Sequence, residues 1–230
     1  MPIIQDKEFG KITIRRSAKA SQIRIKLAPD GTLRASMPLY APVFLVKRMI
    51  KTSRDEIRQL IDKTIPASNY SDGMRIGKSH TIIVSSSNNE SSVARNGQHI
   101  YVRLSVGSSL DDEYIKKEIR KTVIEALRVE AKSYLPRRLQ FIAEKHGYKY
   151  QKVRFSHASG RWGSCSSNGT ISLNIALMKL PFELIDYVLI HELSHTRHMD
   201  HSRLFWNEVS GADPLYENHR RLLKTESPSI

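Results

Sequence analysis

The residues with the strongest chemical signature form one stretch, His191-Glu192-Leu193-Ser194-His195-Thr196-Arg197-His198-Met199-Asp200-His201. Two histidines four positions apart on a helix project from one face, one turn apart, so both imidazoles reach a single metal ion. Glu192, one position on, is left beside that ion to act as a base. A structural metal site closes with four protein ligands and is usually rich in cysteine, whereas this chain has one Cys. Three ligands leave a coordination position for water, which is the arrangement of a catalytic site.

His198 and His201 compete for the third position. Seven residues of unbroken helix carry His198 about 10 Å along the axis from His191, at about 1.5 Å per residue, which is too far for one ion. His201 returns to the metal only if the chain leaves the helix after about His198, so a bend at Met199-Asp200 is predicted and His201 is chosen. Glu208 and Glu217 rank below it as alternatives, because their distance from the metal depends on the tertiary fold.

The chemistry this set supports is hydrolysis. A zinc ion acidifies a water and polarises a carbonyl, while Glu192 takes the proton and passes it to the leaving amine. Nickel or cobalt could substitute, since both accept imidazole. The negative oxygen of the tetrahedral species needs a second stabiliser. Tyr187, one turn before His191 on the same face, and Arg161 are the candidates. The expected substrate is a polypeptide. Two other readings remain: hydrolysis of nucleotide phosphoanhydrides by the same metal, against which the absence of a Gly-rich phosphate loop counts, and a nucleic-acid-binding protein whose metal site is secondary.

These residues need elements to hold them. Pro181 suits a first helical turn, and Leu184, Val188, His191 and His195 follow at helical spacing, so the histidines continue an inward stripe. Upstream, Asp111-Asp112-Glu113 opens a long amphipathic helix with Ile115, Ile119, Val123, Ala126, Leu127 and Ala131 in period, the expected backing for the metal helix. Pro136 is expected to kink it or start a new helix that runs to about Lys145. Between the two helices, Val153 to Ser156 reads as a strand, Arg161 to Ser167 as a compact turn, Asn168-Gly169 as a hairpin signal and Thr170 to Asn174 as a short strand. A strand just before the metal helix could offer an open edge to an extended peptide. Trp162 and Cys165 read as core packing. After the site, Phe205 and Trp206 begin a helix expected to cover the metal from below, and the tail from Glu226 reads as loose.

The amino-terminal region alternates at Gly10 to Arg16 and Gln22 to Leu27, with Asp30-Gly31 as a turn before Thr32 to Met37, which predicts a small antiparallel sheet. Val43 to Ile65 places Val46, Met49, Ile50, Ile57, Leu60 and Ile61 at helical spacing, and Pro66 to Gly77 reads as a polar connection. Thr81 to Val84 and His99 to Leu104 read as strands around a polar turn at Ser85 to Ser92 and Asn96-Gly97. No internal repeat is evident. The fold class expected is α+β, with an amino-terminal region 1–110 of small antiparallel sheets and one amphipathic helix, and a catalytic domain 111–230.

The 230 residues can bury a good core. No run approaches the length of a membrane span, and residues Met1 to Lys11 lack the apolar core of a signal peptide, so no membrane partner and a cytoplasmic location are expected. Lone Cys165 agrees with a reducing compartment. The formal charge is +14, and Lys+Arg outnumber Asp+Glu by 14 to 7 over residues 1–72 and by 10 to 4 over 114–150, against 9 to 8 over 151–230. The excess therefore lies away from the catalytic segment, and nucleic acid is a candidate partner through the amino-terminal and 114–150 regions.

The combination Arg161-Trp162-Gly163-Ser164-Cys165, Ile171-Ser172-Leu173-Asn174, Asp186-Tyr187-Val188, His191-Glu192-Leu193-x-His195 and His201-Ser202-x-x-Phe205-Trp206 resembles the YgjP-like metallopeptidases, relatives of the SprT-like zincins. The resemblance covers most of the chain and is most specific in its carboxy-terminal half. It implies a zincin-type catalytic domain, zinc on His191, His195 and His201, and Glu192 as base. Some SprT-like relatives act on proteins attached to DNA, which the basic charge permits here. His157 to Gly160 departs from the family pattern, so no role is carried onto His157.

Overall fold

The structure is a computed structural model and describes residues 2–28, 32–58 and 70–230. These fall into two compact units, one of the described residues up to Arg58 and one from Tyr70 onward. The fold is mixed α+β, as expected. The Asp30-Gly31 turn, the part of the first helix beyond Arg58, and the connection up to Asn69 lie outside the described residues.

In the first unit, β1 (Ile3–Asp6), β2 (Gly10–Arg16), β3 (Arg24–Leu27) and β4 (Leu33–Met37) form one sheet in the order β1-β2-β4-β3. Ile12 and Ile14 of β2 and Leu33, Ala35 and Met37 of β4 alternate inward and are buried. Helix α1 (Phe44–Thr52) contributes Val46 and Ile50 to the same core, and a further helical stretch at 54–58 adds Ile57. The sheet is not purely antiparallel as predicted: β4 pairs in parallel with β2, while β3, which precedes β4, pairs on β4's other edge. Short-range alternation shows that strands exist but carries no information about which neighbour each one takes.

The second unit opens with a sheet of β5 (Arg75–Ile76), β6 (His80–Ser87), β7 (Ser92–Asn96) and β8 (His99–Ser105), in the order β5-β6-β8-β7 with β6 and β8 parallel. Strand order and directions repeat those of the first sheet, a structural repeat that the sequence conceals. Ile76, Ile82, Ile100 and Val102 join one core with Ile115, Ile119 and Leu127 of α2 (Glu113–His146). The sheet that the sequence reading grouped with residues 1–110 thus shares its core with 111–230.

Helix α2 continues through Pro136 as one element and ends at Gly147, whose φ of 68° and N–H bonds to Ala143 O and Glu144 O close the last turn. Midway along it, the buried Glu130 carboxylate accepts from Lys78 N at 2.7 Å, Ser79 N at 2.9 Å, Ser79 Oγ at 2.8 Å and His80 Nδ1 at 2.6 Å. This clamps the β5–β6 turn to the helix. Burial pushes the Glu130 pKa up, but these donors outweigh it and hold the carboxyl below its ordinary range.

A third sheet, β10-β11-β9, is made of β9 (Lys152–Ser156), β10 (Gly163–Cys165) and β11 (Thr170–Asn174). The segment expected as a compact turn therefore contains an edge strand, antiparallel to β11, while β11 and β9 run parallel. A 3-10 turn (Ile175–Lys179) leads into α3 (Phe182–Ser194), followed by α4 (Arg203–Ala212) and α5 (Tyr216–Leu223). The tail is not loose at its end: Ile230 is buried in the core and its carbonyl accepts from Arg120 Nε at 2.6 Å.

Candidate metal centre

Helix α3 is held against α2 by a two-bond pair, Arg138 Nε to Asp186 Oδ1 at 2.8 Å and Arg138 Nη2 to Asp186 Oδ2 at 2.6 Å. On its inner face Tyr187, His191 and His195 follow one another at one-turn spacing. The helix ends at Ser194, about one turn earlier than predicted, with His195 as its last partly helical residue. The N–H groups of Thr196, Arg197 and His198 bond back to Leu193 O, Ser194 O and Ser194 O, which reverses the chain and brings His201 over the helix.

Arg197 fixes that reversal. It donates to His146 O at 3.1 Å and Gly147 O at 2.7 Å, pairs with Glu208, and lies 4.5 Å over the Tyr148 ring. Glu208, weighed as a third ligand, is thus engaged by Arg197, and Glu217 accepts from the Tyr216 hydroxyl.

Among the described residues, the group able to hold a metal is His191, His195 and His201, whose ligand atoms lie within 4.8 Å of one another. His191 Nε2 and His201 Nε2 are 3.2 Å apart. Two lone pairs that face each other at this distance repel unless a proton or a cation lies between them. Nitrogens bound tetrahedrally at the usual zinc distance stand about 3.3 Å apart, so the spacing fits a shared ion. His195 Nδ1 donates to the carbonyl of His198 at 3.0 Å, which leaves its Nε2 lone pair for the site. His198 thus contributes through its backbone. Burial, with its cationic neighbours, pushes the His191 pKa down to about 3, so the ring is neutral and a ligand-competent base.

Phe205 is the floor of this group. It is fully buried, and its ring centroid lies 4.9 Å from His191, 4.5 Å from His195 and 4.8 Å from His201. Trp206 borders His191 at 5.9 Å and His201 at 5.7 Å.

The Glu192 side chain lies against strand β10 at Gly163. It is buried, and its Oε2 has no hydrogen-bond partner, as is also true of His191 Nδ1. Burial pushes its pKa up to about 8, and the exposed Arg161 pulls the other way. A buried carboxyl with an unpartnered oxygen, in a site that also offers three imidazole nitrogens, is the donor set that a divalent ion completes. The carboxyl fits because residue 163 is glycine: a Cβ there would meet Glu192 Oε1 at 2.6 Å.

Tyr187 is buried beside His191, with ring centroids 6.1 Å apart, and burial pushes its pKa up to about 12, so it remains a phenol at neutral pH. Cys165 has its thiol pushed up by burial and by Glu192, and donates to Ser166 O, in keeping with a packing role.

Sequence reading named Asn174 and Gly163 only within the motifs of the family resemblance and gave neither a role. Asn174 is fully buried; its amide donates to Ala158 O at 2.6 Å and Arg161 O at 2.9 Å, its Oδ1 accepts from Ala176 N, and its backbone N–H bonds Trp162 O. It ties the loop that carries Arg161 and the start of β10 to the entrance of α3.

The YgjP-like family model, described as YgjP-like, metallopeptidase domain, matches residues 21–226. No match is found among curated proteins. Among solved structures, the metallopeptidase zymogen of Pyrococcus abyssi abylysin is similar at 29% identity over 39% of this chain and 91% of that one, with a TM-score of 0.37. A match over nearly the whole length, joined to a histidine triad able to hold a metal, makes this chain a member of the YgjP-like family and a metal-dependent peptidase.

Proposed function

We propose that the protein is a zinc peptidase with His191, His195 and His201 as ligands and Glu192 as general base. The observation that carries this is the convergence of the three imidazoles over Phe205, with the buried Glu192 carboxyl, next to His191 in the helix, set against Gly163 of strand β10. When bound, a zinc ion supplies Lewis acidity that polarises a carbonyl and acidifies a water. Glu192 would be the group that accepts a proton from an attacking water and returns it to the leaving nitrogen. Tyr187, a phenol donor beside His191, and Arg161, the cation nearest in effect to Glu192, are the proposed stabilisers of the negative oxygen.

Among the described residues strand β10 pairs with β11 alone, which leaves its other edge for an extended polypeptide to add to. A cavity of about 390 Å³ beside His195, lined by Tyr150, Gln151, Asn168, Thr196 and Met199 among others, offers room for a substrate side chain.

The test is mass-spectrometric mapping of a partly unfolded protein after incubation with zinc-loaded wild type or Glu192→Gln. Cleavage by wild type alone is expected. Cleavage by both would remove Glu192 as base, and no cleavage by either, with zinc held by both, would overturn the peptide-hydrolysis reading and make nucleotide phosphoanhydrides the next substrates to assay.

A further inference from the structure

Arg220 is a cation held at the metal centre with its N–H donors free. Tyr216 and Arg220 stand one turn apart on one face of α5, and both lie on the indole of Trp206. The Tyr216 ring is stacked on it at 5.6 Å, and Arg220 Cζ is 4.5 Å from its centroid. That indole borders two of the ligand rings, at 5.9 Å from His191 and 5.7 Å from His201. The Arg220 charge reaches the site, since it helps to hold down the His191 pKa and opposes the rise at Tyr187.

Nothing within the chain takes the guanidinium. Among the described residues no carboxylate oxygen lies within 4.0 Å of it, and it donates no hydrogen bond. The acids on and beside its own helix are engaged: Asp213 accepts from His219 at 2.7 Å, and Glu217 from the Tyr216 hydroxyl at 3.2 Å. Arg220 is exposed, so its donors are within reach of a ligand.

Holding α5 in place does not require a guanidinium. Tyr216 already stacks on the indole, α5 also packs against α3, and the stem of a methionine would cover the same ring. What a guanidinium adds is a planar fork whose donors match both oxygens of a carboxylate, and a face resting on an aromatic ring leaves those donors for another partner.

We infer that Arg220 binds a carboxylate of the substrate beside the scissile bond, either the carboxy terminus of the chain or an Asp or Glu side chain. The identity of this ligand rests on the zinc peptidase reading. Arg220 rests on Trp206 and not on a ligand ring, so the group it meets is a neighbour of the carbonyl under attack and not the oxygen on the metal.

The test is fluorescence anisotropy of amino-terminally labelled oligoalanine peptides with full-length, zinc-loaded Glu192→Gln protein. The peptides end in a carboxylate, in a carboxamide, or in a carboxamide with one internal Glu. A carboxylate form should bind about 10-fold to 100-fold more tightly than the neutral one, the usual worth of hydrogen bonds to a charged group. Adding Arg220→Met should abolish this preference and leave zinc content and binding of the neutral peptide unchanged. Arg220→Lys keeps a cation over the indole but loses the fork, so it should retain only part of the preference even if methionine unsettles α5. Either source of the carboxylate bears the inference out: a preference confined to the terminal carboxylate identifies the chain end, and one that follows the internal Glu identifies a side chain. Equal binding of charged and neutral forms, or no binding of any form, would overturn it. So would a preference that survives Arg220→Met, because the metal would then be the partner of the carboxylate. An Arg220-dependent preference, with zinc-loaded wild type cutting none of the peptides, would overturn the peptidase reading and leave the carboxylate site standing.

Discussion

Gly163 of the edge strand and Glu192 of the metal helix are in such close approach that a Cβ on the glycine would lie 2.6 Å from Oε1 and 2.7 Å from Cγ of the glutamate. The backbone of β10 is thereby the wall that sets where the carboxyl stands. Gly163→Ala should displace Glu192 by a fraction of an ångström to an ångström and lower kcat/KM by about 100-fold, the usual cost of such a misplacement. Metal content, measured by mass spectrometry of the purified variant, should not change. Wild-type turnover in Gly163→Ala would refute the contact.

In the metal-free protein Glu192 should govern the pH dependence of stability between about pH 4.5 and 8. Its folded pKa is raised to about 8, so over this window the folded state binds the proton that the unfolded state has released, and stability falls as pH rises. Glu192→Gln removes this penalty. At pH 8 the metal-free variant should be more stable than metal-free wild type by up to about 4 kcal/mol, converting the shift at about 1.4 kcal/mol per pKa unit. Urea unfolding of the two chelator-treated proteins at pH 5 and pH 8 checks it; parallel pH dependence in both would exclude Glu192 as the cause. His191 opposes it over the lower part of this window, since its folded pKa of about 3 makes stability fall as pH drops below about 6.5, so the difference between the two proteins isolates Glu192.

Asn174→Ala strips two carbonyls and one N–H of their partner in a fully buried place. The expected cost is about 2–4 kcal/mol of stability. Because the freed loop carries Arg161 and leads into β10, catalytic efficiency should drop in the folded fraction as well. A variant with reduced melting temperature and unaltered kcat/KM would show that the loop is held by other contacts.

Glu130→Ala leaves three donors of the β5–β6 turn and the His80 ring without their acceptor inside the protein. A loss of about 3–5 kcal/mol is expected, since one partner of a buried charged network is removed. Wild type should also lose stability on acidification through this group. The folded pKa is depressed, so its contribution is present above the unfolded value near 4.5 and disappears as pH falls through the lower folded value. Hydrogen exchange at Lys78 and Ser79 amides should rise sharply in the variant; unchanged protection there would contradict the clamp.

What the sequence by itself determined was whatever depends on neighbours in the chain. Helical spacing from Leu184 to His195 put two imidazoles on one face, because that follows from the geometry of a single turn, whereas the argument against His198 assumed a helix reaching it and the helix ends at Ser194. Strands β2, β4 and β11 were likewise legible from alternation. Tertiary structure alone decided what depends on distant segments meeting. The place where α3 ends is set by Arg197 binding the carbonyls that close α2, about fifty residues earlier in the chain, so local propensity put the bend one turn late. The parallel pairs β2/β4 and β9/β11 are choices among edges that alternation cannot rank. Gly163 and Asn174 looked like ordinary residues of a turn and a strand, because a glycine's missing Cβ and a buried amide acquire meaning only from the side chain or carbonyl that packing brings against them.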